Sequence, residues 1–347
     1  MPAPGAKAVE RRGCEGARSR GQTVYAATML NVGVVGPGSI ADHRLAPALR
    51  AVEGARLWSV CSRDRARGEA FAVRHAAAGP VHADLATLLA DPELHAVVLA
   101  TPDRLHASQA IAAARAGKHV FVEKPMATSV PEAEAMIAAC MAADVRLAVG
   151  YHLRHHAGLV ALRERLLAGA LGRPLHMRIT WSFRERDADN WRGGPELAGW
   201  WALAALGTHA IDLARWYLRP QCGELVRICA LTGAPVHGGP HDETAAVALR
   251  FASGATADIL CSVLFRAPRD VEVYGDAGQA RAEEVLGPRG GGRITIDGAE
   301  LPYPVGDPYQ GELQEFVDAV RHGRTPAVDG AEGLANVRLL CEATGSI

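Results

Sequence analysis

The stretch LNVGVVGPGSIA, residues 30–41, decides the fold. Its first half is continuously apolar and ends on glycine, the pattern of a strand buried on both faces of a parallel sheet. Its second half, Gly36-Pro37-Gly38-Ser39-Ile40-Ala41, fits G-x-G-x-x-G/A with Ala41 as the small third residue. Gly36 permits a tight turn, and Gly38 lets the backbone approach a pyrophosphate. A helix expected over 40–52 would then offer free amides to the anion, Ser39 and Ile40 sitting at its start. An ordinary βα turn can also carry two glycines. The strand–turn–helix setting favours dinucleotide binding.

Outward from this stretch, strands are expected at 55–63, 95–102, 119–125 and 145–153. They alternate with helical patterns at 65–76, 105–116 and 131–143, which implies βαβ units and a doubly wound sheet. Beyond 153 the character changes. A helix at 159–168 is followed by strand patterns at 174–183, 225–233, 244–265, 269–283 and 293–301, with a hairpin turn at 251–255. One helix, 208–218, interrupts them, and helices at 311–321 and 331–343 close the chain. The expected fold is α/β: an N-terminal Rossmann sheet plus a C-terminal α+β domain with an open, mostly antiparallel sheet. The expected division is a disordered extension over 1–28, a dinucleotide-binding domain over 29–150 and a substrate and oligomerisation domain over 151–325. Residues 326–347 would form a helix packing back on the first domain. The extension contains ERRGCEGARSRG, which has no periodicity, and Met29 directly precedes the first strand.

Composition narrows the function. Across 347 residues, 37 Lys+Arg balance 38 Asp+Glu, so the basic excess of a nucleic-acid binder is missing. No apolar run reaches membrane-spanning length. Seven scattered cysteines without C-x-x-C indicate neither a disulfide framework nor a zinc ribbon. His152, His155 and His156 lack an acidic or cysteine partner at helpful spacing, so no metal is expected. With no signal-peptide core near the start, a cytoplasmic protein is expected.

The end of the second strand should meet the adenosine ribose, where an NAD site usually places an acid. Here it reads Ser62-Arg63-Asp64. Arg63 can clamp a 2′-phosphate bidentately, with Ser62 donating a further bond, so NADP is expected and NAD is possible. The alternative is a solvated loop arginine with Asp64 just out of register.

Four segments then occur in order: Gly33-Val-Val-Gly-Pro-Gly-Ser-Ile40, Ala100-Thr-Pro102 with His106, Glu123-Lys-Pro125, and Gly207-Thr-His209-Ala-Ile-Asp212. Together they resemble the glucose–fructose oxidoreductase / inositol dehydrogenase (Gfo/Idh/MocA) family, from about residue 30 to the last helix. The resemblance implies a Rossmann domain and a second domain whose open sheet lines the substrate cleft and forms a homo-oligomer interface, in a dimer or tetramer. It implies that Thr101, Pro102 and His106 flank the nicotinamide, with Glu123 nearby and the Lys124–Pro125 bond cis. It also implies that Trp191 and Arg192 reach the cofactor or substrate.

Lys124 ends a strand at the carboxyl edge of the sheet, where doubly wound folds bind ligands, and a lysine there can hydrogen-bond a reacting oxygen. His209 occupies the family position of the acid/base. His152 and Arg154 follow the last Rossmann strand, and Trp200, Trp201 and Thr208 precede His209; all five are substrate-side candidates. The two tryptophans could equally be core.

One position departs from the family: the Asp usually found four residues before the histidine is Ala205. Either Lys124 and His209 suffice, or Asp187, Asp189 or Asp212 substitutes, or the chain is not a dehydrogenase. The expected activity is interconversion of hydroxyl and ketone on a carbohydrate-like small molecule by hydride transfer. The alternatives are reduction of a C=N or C=C bond, and a non-catalytic dinucleotide sensor.

Overall fold

A computed structural model describes residues 29–186 and 199–345. The expected extension over 1–28, and Asp187, Asp189, Trp191 and Arg192, lie outside the described residues. Six parallel strands form the first sheet in the order β3-β2-β1-β4-β5-β6. They are β1 (Leu30–Val35), β2 (Ala55–Cys61), β3 (Val81–His82), β4 (Ala96–Leu99), β5 (His119–Glu123) and β6 (Leu147–Gly150). β1 is flanked on both sides, and all six of its residues are buried, which is why its sequence is apolar throughout. Each fully buried valine or leucine there stabilises the fold by about 1.5–3 kcal/mol. The strand order reverses between β1 and β4, and this opens a crevice at their carboxyl ends.

The helices of this lobe are α1 (Ala46–Leu49), α2 (Arg65–Arg74), α3 (Leu85–Leu89), α4 (His106–Arg115) and α5 (Val130–Ala142). Asp64, Asp84 and Ser129 start α2, α3 and α5, each accepting a hydrogen bond from a first-turn amide. The helix expected over 40–52 is instead a π-helical turn at Ala41–Leu45 running into short α1. Pro47 has no N–H for the carbonyl of His43, so the regular ladder cannot continue there. β3 and α3 escape sequence reading because two and five residues carry no period. β6 stops at Gly150, and a 3-10 turn at His152–His155 replaces the rest of the expected strand.

The second lobe contains α6 (Ala157–Leu167), β7 (Pro174–Ser182), α7 (Thr208–Cys222), β8 (Leu225–Gly233), β9 (Thr244–Phe251) and β10 (Thr256–Ser262). It continues with β11 (Asp270–Gly275), β12 (Gln279–Glu283), β13 (Arg293–Ile296) and β14 (Ala299–Glu300). Its eight-stranded sheet has the order β14-β13-β12-β11-β7-β10-β9-β8. All its pairings are antiparallel except β7 with β10. In β9, Ala245, Val247, Leu249 and Phe251 are buried and alternate with exposed residues, the pattern of a sheet with one wet face. The single strand expected over 269–283 is a hairpin: β11 turns at Asp276-Ala277-Gly278 and returns as β12, with Tyr274 opposite Gln279.

Two last helices, α8 (Pro308–Arg321) and α9 (Gly330–Thr344), return to the first sheet. Leu313, Phe316, Val317 and Val320 of α8 share a core with Leu30, Val32 and Val34 of β1. Gly333 of α9 is packed so closely that a Cβ there would lie 2.5 Å from Met126 Sδ. Among the described residues, no helix is long and apolar enough to cross a membrane.

Candidate active site

A cleft of about 1970 Å³ opens at the carboxyl ends of β1, β2, β4 and β5 and extends to the second sheet. Pockets for small ligands usually span about 300–1,000 Å³, so this one has room for a dinucleotide and a substrate together.

At one end lies the glycine-rich turn. Gly36 has φ +85°, and a Cβ on it would sit 2.8 Å from Thr101 Cγ2. Both facts demand glycine. Gly38 differs: a Cβ there would meet no atom within 4 Å, so its bare backbone borders open cleft. Pro37, Ser39, Ile40, His43 and Arg44 continue this wall. At the end of β2, the Asp64 carboxylate accepts from the Arg67 amide at 3.0 Å, and Ser62 Oγ donates to the Asp64 carbonyl at 2.7 Å. The Ser62 hydroxyl proton is therefore engaged within the turn, while Ser62 itself lines the cleft. Arg63 and Arg67 are both exposed on this wall. Arg67 was not expected; it stands in the first turn of α2, three residues after the N-cap Asp64. A cradle of bare backbone beside two guanidiniums suits an anionic dinucleotide.

Midway, Thr101, Pro102, His106, Glu123, Lys124 and Pro125 line the cleft. The ring nitrogens of His106 lie 2.9 Å from the Thr101 carbonyl and 2.9 Å from the Pro125 carbonyl, so this side chain ties the two loops together. Burial favours the neutral ring, which can donate to one carbonyl only. The Lys124–Pro125 peptide is cis.

Lys124 Nζ donates to the carbonyls of Ala204 at 3.2 Å and Ala205 at 3.0 Å. Both carbonyls belong to a π-helical turn, Leu203–Gly207, that leads into α7. Asp242, itself buried, holds this segment: its carboxylate accepts from the Trp201 amide at 2.9 Å and the Leu203 amide at 2.7 Å. Ala205 thus meets the lysine through its backbone carbonyl, at the position where the resemblance leads one to expect a carboxylate side chain.

His209, in the first turn of α7, is 3% exposed, and its ring is framed by Tyr151, His152 and Trp181 at centroid distances of 5.7, 4.8 and 5.4 Å. Burial, followed by the charges of Lys124 and His152, holds its imidazole well below the usual range, in the neutral form. Among the described residues, His209 Nδ1 has no hydrogen-bond partner. Asp212 does not substitute for the missing acid, because Arg154 and Asn336 occupy it. His152 also faces the cleft, stacked on Tyr309 with ring centroids 4.4 Å apart, and burial pushes it down to about 3.

Four expected substrate-side residues sit elsewhere. Arg154 is buried, donating to Asp212 at 2.8 and 2.6 Å and to Glu332 at 2.6 Å. A guanidinium can leave water only with such partners, and these consume it. Thr208 is fully buried, with its hydroxyl 2.7 Å from that of Tyr151. Trp200 and Trp201 belong to the core, and Trp200 Nε1 donates to Thr344 Oγ1 at 3.2 Å. Large indole surfaces gain more from that burial than from a wet cleft wall.

Sequence reading missed Trp181, Phe183, Arg266, Arg269, Glu284 and Tyr309 at the substrate end. Strand alternation places Trp181 on the β7 face that carries Ile179. No local signal marks the others.

Residues 30–151 match a family described as "Oxidoreductase family, NAD-binding Rossmann fold", and residues 159–281 match the GFO/IDH/MocA C-terminal domain. The 1,5-anhydro-D-fructose reductase of Ensifer adhaerens is 30% identical over 308 residues, covering 87% of this chain and 91% of that protein. The myo-inositol 2-dehydrogenase of Thermotoga maritima is 29% identical over 325 residues, covering 88% and 92%. Among solved structures, the aldose-aldose oxidoreductase of Caulobacter crescentus complexed with glycerol superposes with TM-score 0.82 at 25% identity, covering 92% and 98%. With both domains matched and relatives similar along nearly their whole length, the chain belongs to the Gfo/Idh/MocA family of oxidoreductases, and its first lobe is the family's NAD-binding Rossmann fold.

Proposed function

We propose that this protein interconverts a hydroxyl and a ketone on a sugar, cyclitol or similar polyol, using NADP in preference to NAD. One observation carries the reading: a continuous cleft joins the glycine-rich turn to Lys124 and the ring of His209. Gly36, Gly38, Ser39, Ile40, Arg63 and Arg67 would hold the dinucleotide, while Thr101, Pro102 and Glu123 border its reactive end. A nicotinamide bound there supplies hydride exchange with a substrate carbon.

The chain's own residues do the rest. Lys124, held by two carbonyls, hydrogen-bonds the reacting oxygen and polarises it. His209, kept neutral by burial, accepts the hydroxyl proton in oxidation and returns it in reduction. Trp181, His152 and Tyr309 exclude water from this corner and give flat faces for a sugar ring. We further propose a cytoplasmic homo-oligomer formed through the open face of the second sheet, where Val226 and Leu231 of β8 are exposed.

The test is a panel of sugars, cyclitols and their ketones with NADP and with NAD. Turnover of at least one polyol or its ketone supports the reading, and none across the panel overturns it. Imines and enones belong in the panel, because the lack of a carboxylate on His209 among the described residues favours C=N or C=C reduction as the second reading.

Arg63→Ser tests the cofactor preference. The charge-assisted fork to a 2′-phosphate is worth about 1.5–3 kcal/mol, so kcat/KM with NADP should fall roughly tenfold to a hundredfold. Activity with NAD should change little. Equal losses with both cofactors would remove Arg63 from the phosphate.

A further inference from the structure

Phe121 and Glu123 lie two residues apart on β5 and so share one face of the strand. Glu312 and Phe316 lie four apart on α8 and so share one face of the helix. The rings of Phe121 and Phe316 meet edge-on at 5.7 Å, which fixes the register of helix on strand. Two strand residues advance about 6.6 Å and four helical residues about 6 Å, so the same register brings Glu312 to Glu123. Tyr309 continues this row into the cleft. Glu312 is 3% exposed, and among the described residues neither of its carboxyl oxygens has a hydrogen-bond partner. No hydrogen bond among the described residues offsets the cost of an ionised, desolvated carboxylate there.

We propose that Glu312 carries its proton at neutral pH, so that of these two neighbouring carboxyls Glu123 alone is charged and one negative charge is fixed beside Lys124. Glu312 is then a positioning residue that acts on Lys124 through Glu123, and its meaning for catalysis rests on the role proposed for that lysine. The charged groups acting on it are Glu123 at the end of β5, Lys124 just after it and Asp307 at the N-cap of α8, with Tyr309 in the first turn of the same helix. Burial first, then the charges of Glu123 and Asp307, hold the Glu312 carboxyl well above its ordinary 4.5, with Lys124 opposing.

A proton kept in the folded state and released on unfolding makes wild-type stability fall as pH rises above about 4.5. Glu312→Gln and Glu312→Leu carry no such proton, so their melting temperatures relative to wild type should climb with pH. For the full chain, the difference from wild type at pH 8 should exceed that at pH 4.5 by about 3 °C or more. Curves that stay parallel overturn the proton assignment, and the slope decides even if one variant is weaker throughout.

The coupling to Lys124 is read without turnover, from the pH dependence of Lys124 modification by an amine-reactive reagent, followed by peptide mass spectrometry. In Glu312→Gln the second negative charge can never form, so the midpoint should shift down by about half a pH unit or more. Identical midpoints would reduce Glu312 to a packing residue. Both measurements stand whichever substrate the panel finds, so their failure is distinguishable from failure of the proposed activity.

Discussion

Lys124→Ala should lower turnover by about 10²–10³-fold while leaving dinucleotide affinity nearly unchanged, because removing one preorganised hydrogen-bond donor from a reacting oxygen costs about that much. The argument rests on where Nζ is held. Two carbonyls of the π turn, at 3.2 and 3.0 Å, fix the ammonium on the wall between the glycine-rich turn and the His209 ring. Alanine takes the ammonium away from those carbonyls and removes the polarising charge, yet touches neither Gly36, Gly38 nor Arg63. Lys124→Arg should fail almost as badly, since a planar fork cannot reproduce a point charge held between two carbonyls. Steady-state kinetics gives the turnover, and fluorescence titration with NADP gives the affinity. Turnover near the wild-type value would remove Lys124 from the reaction.

Arg154→Ala should cost about 3–5 kcal/mol of stability, because it strands a buried carboxylate without its partner. Arg154 reaches Asp212 on α7 and Glu332 on α9 at once, and Asn336 donates to Asp212 at 2.8 Å. Removing the guanidinium leaves Asp212, itself 2% exposed, with one neutral donor to offset its charge. At roughly 2–4 °C per kcal/mol, the melting temperature should drop by about 10 °C. A variant melting within a degree or two of wild type at neutral pH would mean the triad contributes little.

The parts of this protein legible in its sequence are the local ones. β1 and the glycine turn announce themselves because burial on both faces and a positive φ each constrain residue type within a few positions. The place of Lys124 on the cleft wall was legible too, because the strand just before it ends at the sheet edge where ligands bind. The Arg154 triad was not legible, since its partners lie 58 and 178 residues away. Arg154 was assigned to the cleft from its place after β6, but the 3-10 turn aims it at α7 and α9. Tyr309 reaches the cleft from a distant helix by topology alone. Ala205 shows a different limit. The sequence lists side chains, and this residue meets Lys124 through its carbonyl, a group every residue has.

The return of α8 to β1 has a consequence for anyone who would engineer this protein. A chimera that exchanges only residues 29–150 would import a sheet whose outer layer, Leu313, Phe316, Val317 and Val320, still belongs to the other parent. The nucleotide-binding half is therefore not a portable cassette. Its true unit of exchange is discontinuous, two pieces of chain that were folded against each other and must travel together.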